Sequence, residues 1–189
     1  MTIPCFFGYG SLVNTRTHDY PDASPARVTG WRRAWRHSPL RDRCFLTVVP
    51  DPDCEIDGLV ATVPDGDWAA LDLREHGYTR NDVSQAVRHD LGGRAQVAIY
   101  AIPTGAHHDP SADNPVVLSY LDAVVQGFLD VFGPEGVQRF FDTTSGWDQA
   151  PMLDDRAAPR YPRAQSLSAG ERAHVDAGLA RVGARVIKA

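Results

Sequence analysis

Cys5-Phe6-Phe7-Gly8-Tyr9-Gly10-Ser11-Leu12 is the stretch on which the reading of this chain turns. Its first residues form a short apolar run that reads as a strand, and Gly8 and Gly10 stop it. Glycine at a strand end lets the backbone turn sharply and approach a ligand closely. The N–H groups after such a turn are free to point at an anion or a carbonyl oxygen. Short glycine motifs are common, so the segment alone reads as a plain turn.

Outward from it, the first hundred or so residues read mostly as strands. Apolar or β-rich runs cover Arg27–His37, Cys44–Val49, Ile56–Val63, Val83–His89 and Ala95–Ile102, each bounded by Gly, Pro or Asp. Many short strands with long connections point to a mixed sheet or a barrel. One helix interrupts them, capped by Asp67 and ended by Gly77. A second is predicted from Asn114 as cap with Pro115 in its first turn. Its apolar stripe is Leu118, Leu121, Val125, Phe128 and Phe132, and Gly133-Pro134 breaks it. A shorter helix follows to about Phe141. The last helix opens on Ser168-Ala169-Gly170-Glu171, a capping box. Residues 144–167, with Pro151, Pro159 and Pro162, read as irregular. A connection of that length is functional or hides further elements.

The chain has 189 residues, 43% hydrophobic and 23% charged, enough for a core without disulfides or metals. A net charge of -5 argues against nucleic-acid binding, which needs a surplus of Lys and Arg. No run approaches the ~20 apolar residues of a membrane span. Met1-Thr2-Ile3-Pro4 does not open a signal peptide. Cys5, Cys44 and Cys54 are an odd count without C-x-x-C spacing, as expected of reduced thiols in a cytoplasm.

The second segment of note is Leu71-Asp72-Leu73-Arg74-Glu75-His76-Gly77-Tyr78. Helical spacing puts Trp68, Leu71 and Glu75 on one apolar face. A carboxylate pointed inward there is predicted to have a raised pKa, as a general acid–base near neutral pH requires. Glu75 reads equally as a structural carboxylate paired with Arg74 or Arg80. Asp72 lies near the same face and reads as a capping or pairing group.

Taken together, the two segments resemble the γ-glutamyl cyclotransferase superfamily, including its ChaC-type and BtrG-like branches. That family carries a Tyr-Gly-Ser motif after its first strand and a Glu on a short helix before a later strand. Tyr9-Gly10-Ser11 and Glu75 stand in that order, and Gly58 to Val63 matches a G-x-x-x-x-V pattern before the Glu helix. Ser119-Tyr120-Leu121 is similar to the family's later Ser/Tyr helix. The resemblance covers roughly residues 4–130, and residues 1–133 are read as its domain, with 134–189 an extension packed on it. It implies an α+β fold, a small mixed β-barrel of about five to seven strands with surrounding helices.

It also implies a reaction. The α-amine of a γ-glutamyl group attacks its own side-chain carbonyl, closes 5-oxoproline and expels an amine or amino acid. The tethered nucleophile needs only to be folded into attack geometry. On this reading Glu75 takes and returns the proton. Backbone N–H groups around Gly10, Ser11 and Leu12 meet the oxyanion, and Tyr9 and Tyr120 shape the pocket or bind the substrate carboxylate. The expected partner is a small γ-glutamyl substrate, with no metal, cofactor, nucleic acid or membrane. The alternatives are a non-catalytic binding module on the same fold, or an amide hydrolase or amidotransferase using the same pocket.

Other clusters carry weaker readings. His107-His108-Asp109 lies in a polar loop, and Cys44 and Cys54 lack a second metal-binding pair. Trp31 to His37 interleaves aromatics and bases and reads as a strand with Trp31 and Trp35 on one face. Asp154-Asp155-Arg156 and Arg160-Tyr161-Pro162-Arg163 read as loop packing or surface ion pairs rather than a carboxylate clamp. Ser11 lacks the G-x-S-x-G setting of a nucleophile.

Overall fold

β1 (Ile3–Gly8) runs through the middle of a mixed sheet, antiparallel to β3 (Cys44–Thr62) and parallel to β6 (Ala95–Ala101). The computed structural model describes residues 2–38, 43–103, 105–111 and 113–189. Beyond β3 lies β2 (Ser24–His37), and beyond β2 the short β5 (Val87–His89); β4 (Thr79–Asp82) closes the other flank on β6. β8 (Thr144–Ser145) adds in parallel to β2. Among the described residues this makes a curled sheet in the order β4-β6-β1-β3-β2-β5. With the helix at Leu118–Asp142 packed against it and the helix at Ala169–Arg181 packed on that one, the architecture is α+β and half-barrel in form.

The long β2–β3 pair explains the curl. Its register is interrupted between Thr29 and Trp31 on one side and Glu55 and Pro50 on the other. An irregularity of this kind bends a strand pair and increases its twist. It also corrects the expectation of separate strands at Cys44–Val49 and Ile56–Val63. One strand passes through both prolines: Pro50 is the last residue paired, with Trp31, before the irregularity, and Pro52 lies inside it, where the chain has left the ladder. The expected strand at Val83–His89 is divided: Ala86 N–H bonds back to Val83 O at 2.8 Å, so a turn separates β4 from β5.

α1 (Trp68–Arg74) is capped as its sequence predicts, Asp67 Oδ1 accepting from Ala69 N–H at 2.9 Å. α2 spans Leu118–Asp142, with Gly133 at φ 66°, ψ −171° breaking it into two helices. Its start corrects the expected Asn114 cap: Val116–Val117 form β7, and the helix begins at Leu118. β-Branched Val116 and Val117 pair in parallel with β9 (Met152–Asp154), which pairs in turn with β10 (Val186–Lys188). The helix cap is supplied from 36 residues away, where Asp155 Oδ1 accepts Ser119 N–H at 2.8 Å. α3 (Ala169–Arg181) carries both halves of the predicted capping box between Ser168 and Glu171.

The core lies between the curled sheet and α2. Phe6, Phe7, Ile56, Leu59 and Ile99 from the sheet meet Leu118, Leu121, Val124 and Phe128 from α2. Full burial of one such side chain stabilises the fold by about 1.5–3 kcal/mol. Gly127 lets α2 lie against the chain at Asn14, where a Cβ would stand 2.6 Å from Asn14 N. The contact brings the N-terminal half of α2 onto the turn that follows β1. No helix among the described residues is long and apolar enough to cross a membrane.

Candidate active site

β1 ends at Gly8, and the chain enters a 3-10 turn at Ser11–Val13. The carbonyls across this segment are all tied down by protein donors. Tyr9 O accepts from Arg33 Nε at 2.9 Å, Gly10 O from Val13 N–H at 3.0 Å, and Leu12 O faces His18 Nε2 at 2.9 Å. Ser11 O accepts from Asn14 N–H at 3.1 Å and from Thr17 Oγ1 at 2.9 Å. In a trans peptide the N–H of the next residue points opposite to the carbonyl. Fixing these carbonyls inward therefore turns the N–H groups of Gly10, Ser11 and Leu12 the other way. The Tyr120 hydroxyl from α2 closes against this turn at Gly10. Gly10 is required by that approach, since a Cβ there would be 2.7 Å from Tyr120 Oη.

Glu75 sits across from this turn. It is the C-terminal cap of α1, not a residue of its apolar face as the spacing predicted. The helix stops at Arg74 and Gly77 turns back at φ 94°, so Leu71 alone is directed into the core while the Glu75 side chain stays 20% exposed. Arg74 Nε stands 3.4 Å from Glu75 Oε1. Asp72 pairs elsewhere, with Tyr100 Oη at 2.6 Å and Arg80 Nε at 3.1 Å.

Between the turn and the α1 cap opens a cleft of about 620 Å³. An inner recess of about 50 Å³ shares Ser11, Leu46, Glu75, Tyr78 and Tyr120 with it. Tyr9, Gly10, Ser11, Leu12, Glu75 and Tyr120 all line the recess, so the structure brings together every site residue named from the sequence. Tyr78 and Tyr100 join them, and these the sequence reading did not single out.

The phenols of Tyr9, Tyr100 and Tyr120 are held protonated. Burial pushes Tyr9 and Tyr120 well above the ordinary tyrosine range, and burial with the Asp72 hydrogen bond does the same for Tyr100. Tyr9 Oη donates to Tyr100 O at 2.7 Å, and Tyr78 Oη donates to Leu46 O at 3.0 Å. Tyr9 thus commits its hydroxyl to the fold. Neutral tyrosines cannot act as bases, and among the described residues lining the cleft Glu75 is the one carboxylate.

Two further groups were missed or misweighted in sequence. Arg33 is fully buried between Trp31 and Trp35 in sequence, and it anchors the Tyr9 carbonyl from inside the core. Basic residues flanked by tryptophans on a strand carry no sign of burial. Arg160, Tyr161, Pro162 and Arg163 were read as packing, yet they form one wall of the cleft. The segment is held there by Asp155, 1% exposed, whose Oδ2 accepts from Ser119 Oγ at 2.5 Å and Arg160 N–H at 2.7 Å. Tyr161 N–H donates to the same Ser119 hydroxyl at 3.1 Å, and its ring meets Tyr120 edge-on, centroids 5.1 Å apart.

The sequence model of the "Gamma-glutamyl cyclotransferase, AIG2-like" family matches residues 6–119. The chain belongs to this family. No curated protein matches it. Among solved structures it is similar to one described as gamma-glutamyl cyclotransferase, at 16% identity and TM-score 0.57, covering 92% of this chain and 98% of that one. An uncharacterized protein from Homo sapiens gives 16% identity and TM-score 0.57, covering 91% of this chain and 97% of that one. YkqA from Bacillus subtilis gives 17% identity and TM-score 0.55, covering 71% of this chain and 51% of that one. At these identities the likeness is one of fold. The γ-glutamyl cyclotransferase match takes in the Tyr9–Leu12 turn and Glu75 and stops at Ser119. Tyr120 and the 155–163 wall lie beyond it.

Proposed function

We propose that the chain is a γ-glutamyl cyclotransferase, releasing 5-oxoproline and an amine or amino acid from a γ-glutamyl amide. The observation that carries the reading is the facing of two walls. One presents outward-turned N–H groups from Gly10 to Leu12, and the other the sole carboxylate of the described cleft lining, Glu75.

The steps follow from those groups. The Glu75 carboxylate takes a proton from the substrate α-ammonium. The freed amine bonds to the γ-carbonyl carbon, and the charge moves to the carbonyl oxygen. Backbone donors at Gly10 to Leu12 stabilise that oxyanion, each by about 3 kcal/mol if its effect matches donors of this kind. On ring closure the carbon–nitrogen bond to the leaving group breaks, Glu75 returns its proton to the departing nitrogen, and the ring nitrogen gives up its second proton to solvent. Fixed carbonyls make the donors preorganised, so no loop has to reorder as charge develops.

Incubation with a set of γ-glutamyl amino acids and amines, followed by mass spectrometry for 5-oxoproline, tests the reading. Glu75→Gln is expected to lower turnover by about 10²- to 10⁴-fold with the fold intact. Glutamate in place of 5-oxoproline would mean that water, not the internal amine, is the nucleophile. Intact turnover in Glu75→Gln would remove Glu75 from the mechanism.

A further inference from the structure

The wall contributed by residues 155–163 has a chemistry of its own. It lies outside the family match, and it is built rather than draped. Asp155 fixes its start to Ser119 at the head of α2. Arg156 grips Asp122 through two hydrogen bonds, at 2.8 and 2.7 Å, and Asp176 through a third at 3.0 Å. The next two arginines differ from Arg156. Arg160 and Arg163 line the cleft, are exposed, and have no acidic side chain within 4.0 Å among the described residues. Arg43 and Arg74 line the same cleft, and among its described lining residues Glu75 is the single carboxylate. This occurs in a chain whose net charge is -5. A cluster of one sign in a concave site raises the local concentration of the opposite sign.

We infer that Arg160 and Arg163 receive an anionic group on the leaving amine, so the preferred substrates are γ-glutamyl amides whose departing portion carries a carboxylate. The inference rests on the cyclotransferase reading for the orientation of the substrate. With the γ-carbonyl between the Gly10–Leu12 turn and Glu75 in the recess, the leaving group extends into the wider cleft. There the guanidinium forks meet it. Arginine suits this role because its planar fork binds carboxylate with two parallel hydrogen bonds. The anchored wall holds the forks near the cleft before substrate arrives, which lowers the ordering cost of binding. Neutral leaving groups gain nothing from them, and cationic ones are repelled.

The test compares γ-glutamyl-glycine with γ-glutamyl-glycinamide, which differ in one charge, and adds γ-glutamyl-glutamate. On the wild type, kcat/KM for 5-oxoproline release is expected to favour glycine over glycinamide by about 10-fold or more, with glutamate at least as good as glycine. In Arg160→Ala/Arg163→Ala the ratio is expected to fall to about 3-fold or less, through loss of the carboxylate substrate alone. Arg160→Lys/Arg163→Lys restores part of it. Raising ionic strength to 0.5 M is expected to erode the wild-type ratio, since the arginines are exposed. An unchanged ratio in the double alanine variant, or equal turnover of acid and amide by the wild type, overturns the inference while leaving the cyclotransferase reading standing. If no compound yields 5-oxoproline, that reading falls, and calorimetric titration of wild type and variant with the acid and the amide decides the arginine site alone. Selective binding of the acid that the double variant loses upholds it; equal binding, or none, overturns it.

Discussion

Arg33→Met removes a buried side chain that ties the Tyr9–Leu12 turn to the core of the sheet. Arg33 is fully buried, and its guanidinium donates to Tyr9 O at 2.9 Å, to Thr143 Oγ1 at 2.8 Å and to Asp57 O. It also lies over the rings of Phe128 and Phe140, 4.8 and 5.2 Å from their centroids. Burial pulls its pKa down to about 9, so it remains charged at neutral pH. Methionine leaves the buried carbonyls of Tyr9 and Asp57 without this donor, at about 1–3 kcal/mol each. The Thr143 hydroxyl is not orphaned, because it still donates to Arg139 O at 2.7 Å. The Asp57 carboxylate stays paired, with Arg27 at 2.7 Å and Arg139 at 2.6 Å. Against the loss stands relief from burying a charge, with apolar atoms filling the space. The balance is a destabilisation of about 2–4 kcal/mol, or a urea midpoint lower by about 1–2 M for a slope near 2 kcal/mol/M. Urea unfolding followed by tryptophan fluorescence measures it, and Arg33→Lys, which keeps the charge but not the fork, is expected to fall between. A midpoint within about 0.3 M of the wild type, with 5-oxoproline formation unchanged, would refute the claim that the guanidinium holds the turn.

Two further outcomes follow from the same turn. Gly127→Ala puts a Cβ 2.6 Å from Asn14 N and 2.7 Å from Asn14 Cα, backbone that has little room to give. It should lower stability by about 2–3 kcal/mol in the same unfolding experiment and weaken turnover by moving Tyr120 off Gly10. His18 bears on acid stability. Its Nε2 faces Leu12 O at 2.9 Å and so carries the proton, while Nδ1 accepts Tyr20 N–H at 3.2 Å. Burial lowers its pKa from the usual 6.5; Arg74 adds to the shift, while the Leu12 hydrogen bond and Asp19 oppose it. The folded state therefore binds fewer protons than the unfolded chain. Its contribution is whole above pH 6.5 and declines as pH falls toward and through the lowered value. His18→Gln should flatten the fall in melting temperature between pH 7 and 5, and an identical slope in the variant would show that this residue is not the source.

What the sequence determined by itself was local. The stop after β1 at Gly8, the Asp67 cap, the break at Gly133 and the Ser168–Glu171 box each depend on residues within about four positions of one another, and each is present. The pairing of Tyr9-Gly10-Ser11 with Glu75 was legible because a family motif preserves order along the chain, and the structure sets both on one cleft. Groups joined across long separations left no such mark. Asp155 caps α2 from 36 residues away, Arg33 holds Tyr9 from 24, and Arg160 and Arg163 reach the cleft only because Asp155 is buried at Ser119. Glu75 itself belongs to both kinds. Helical spacing singled it out but pointed it at the core. Only where α1 actually ends, one residue earlier, is the carboxylate turned into the cleft that Gly10 and Tyr120 share. A periodic pattern says which residues share a face while a helix lasts, and the end of that helix is decided by the tertiary packing around it.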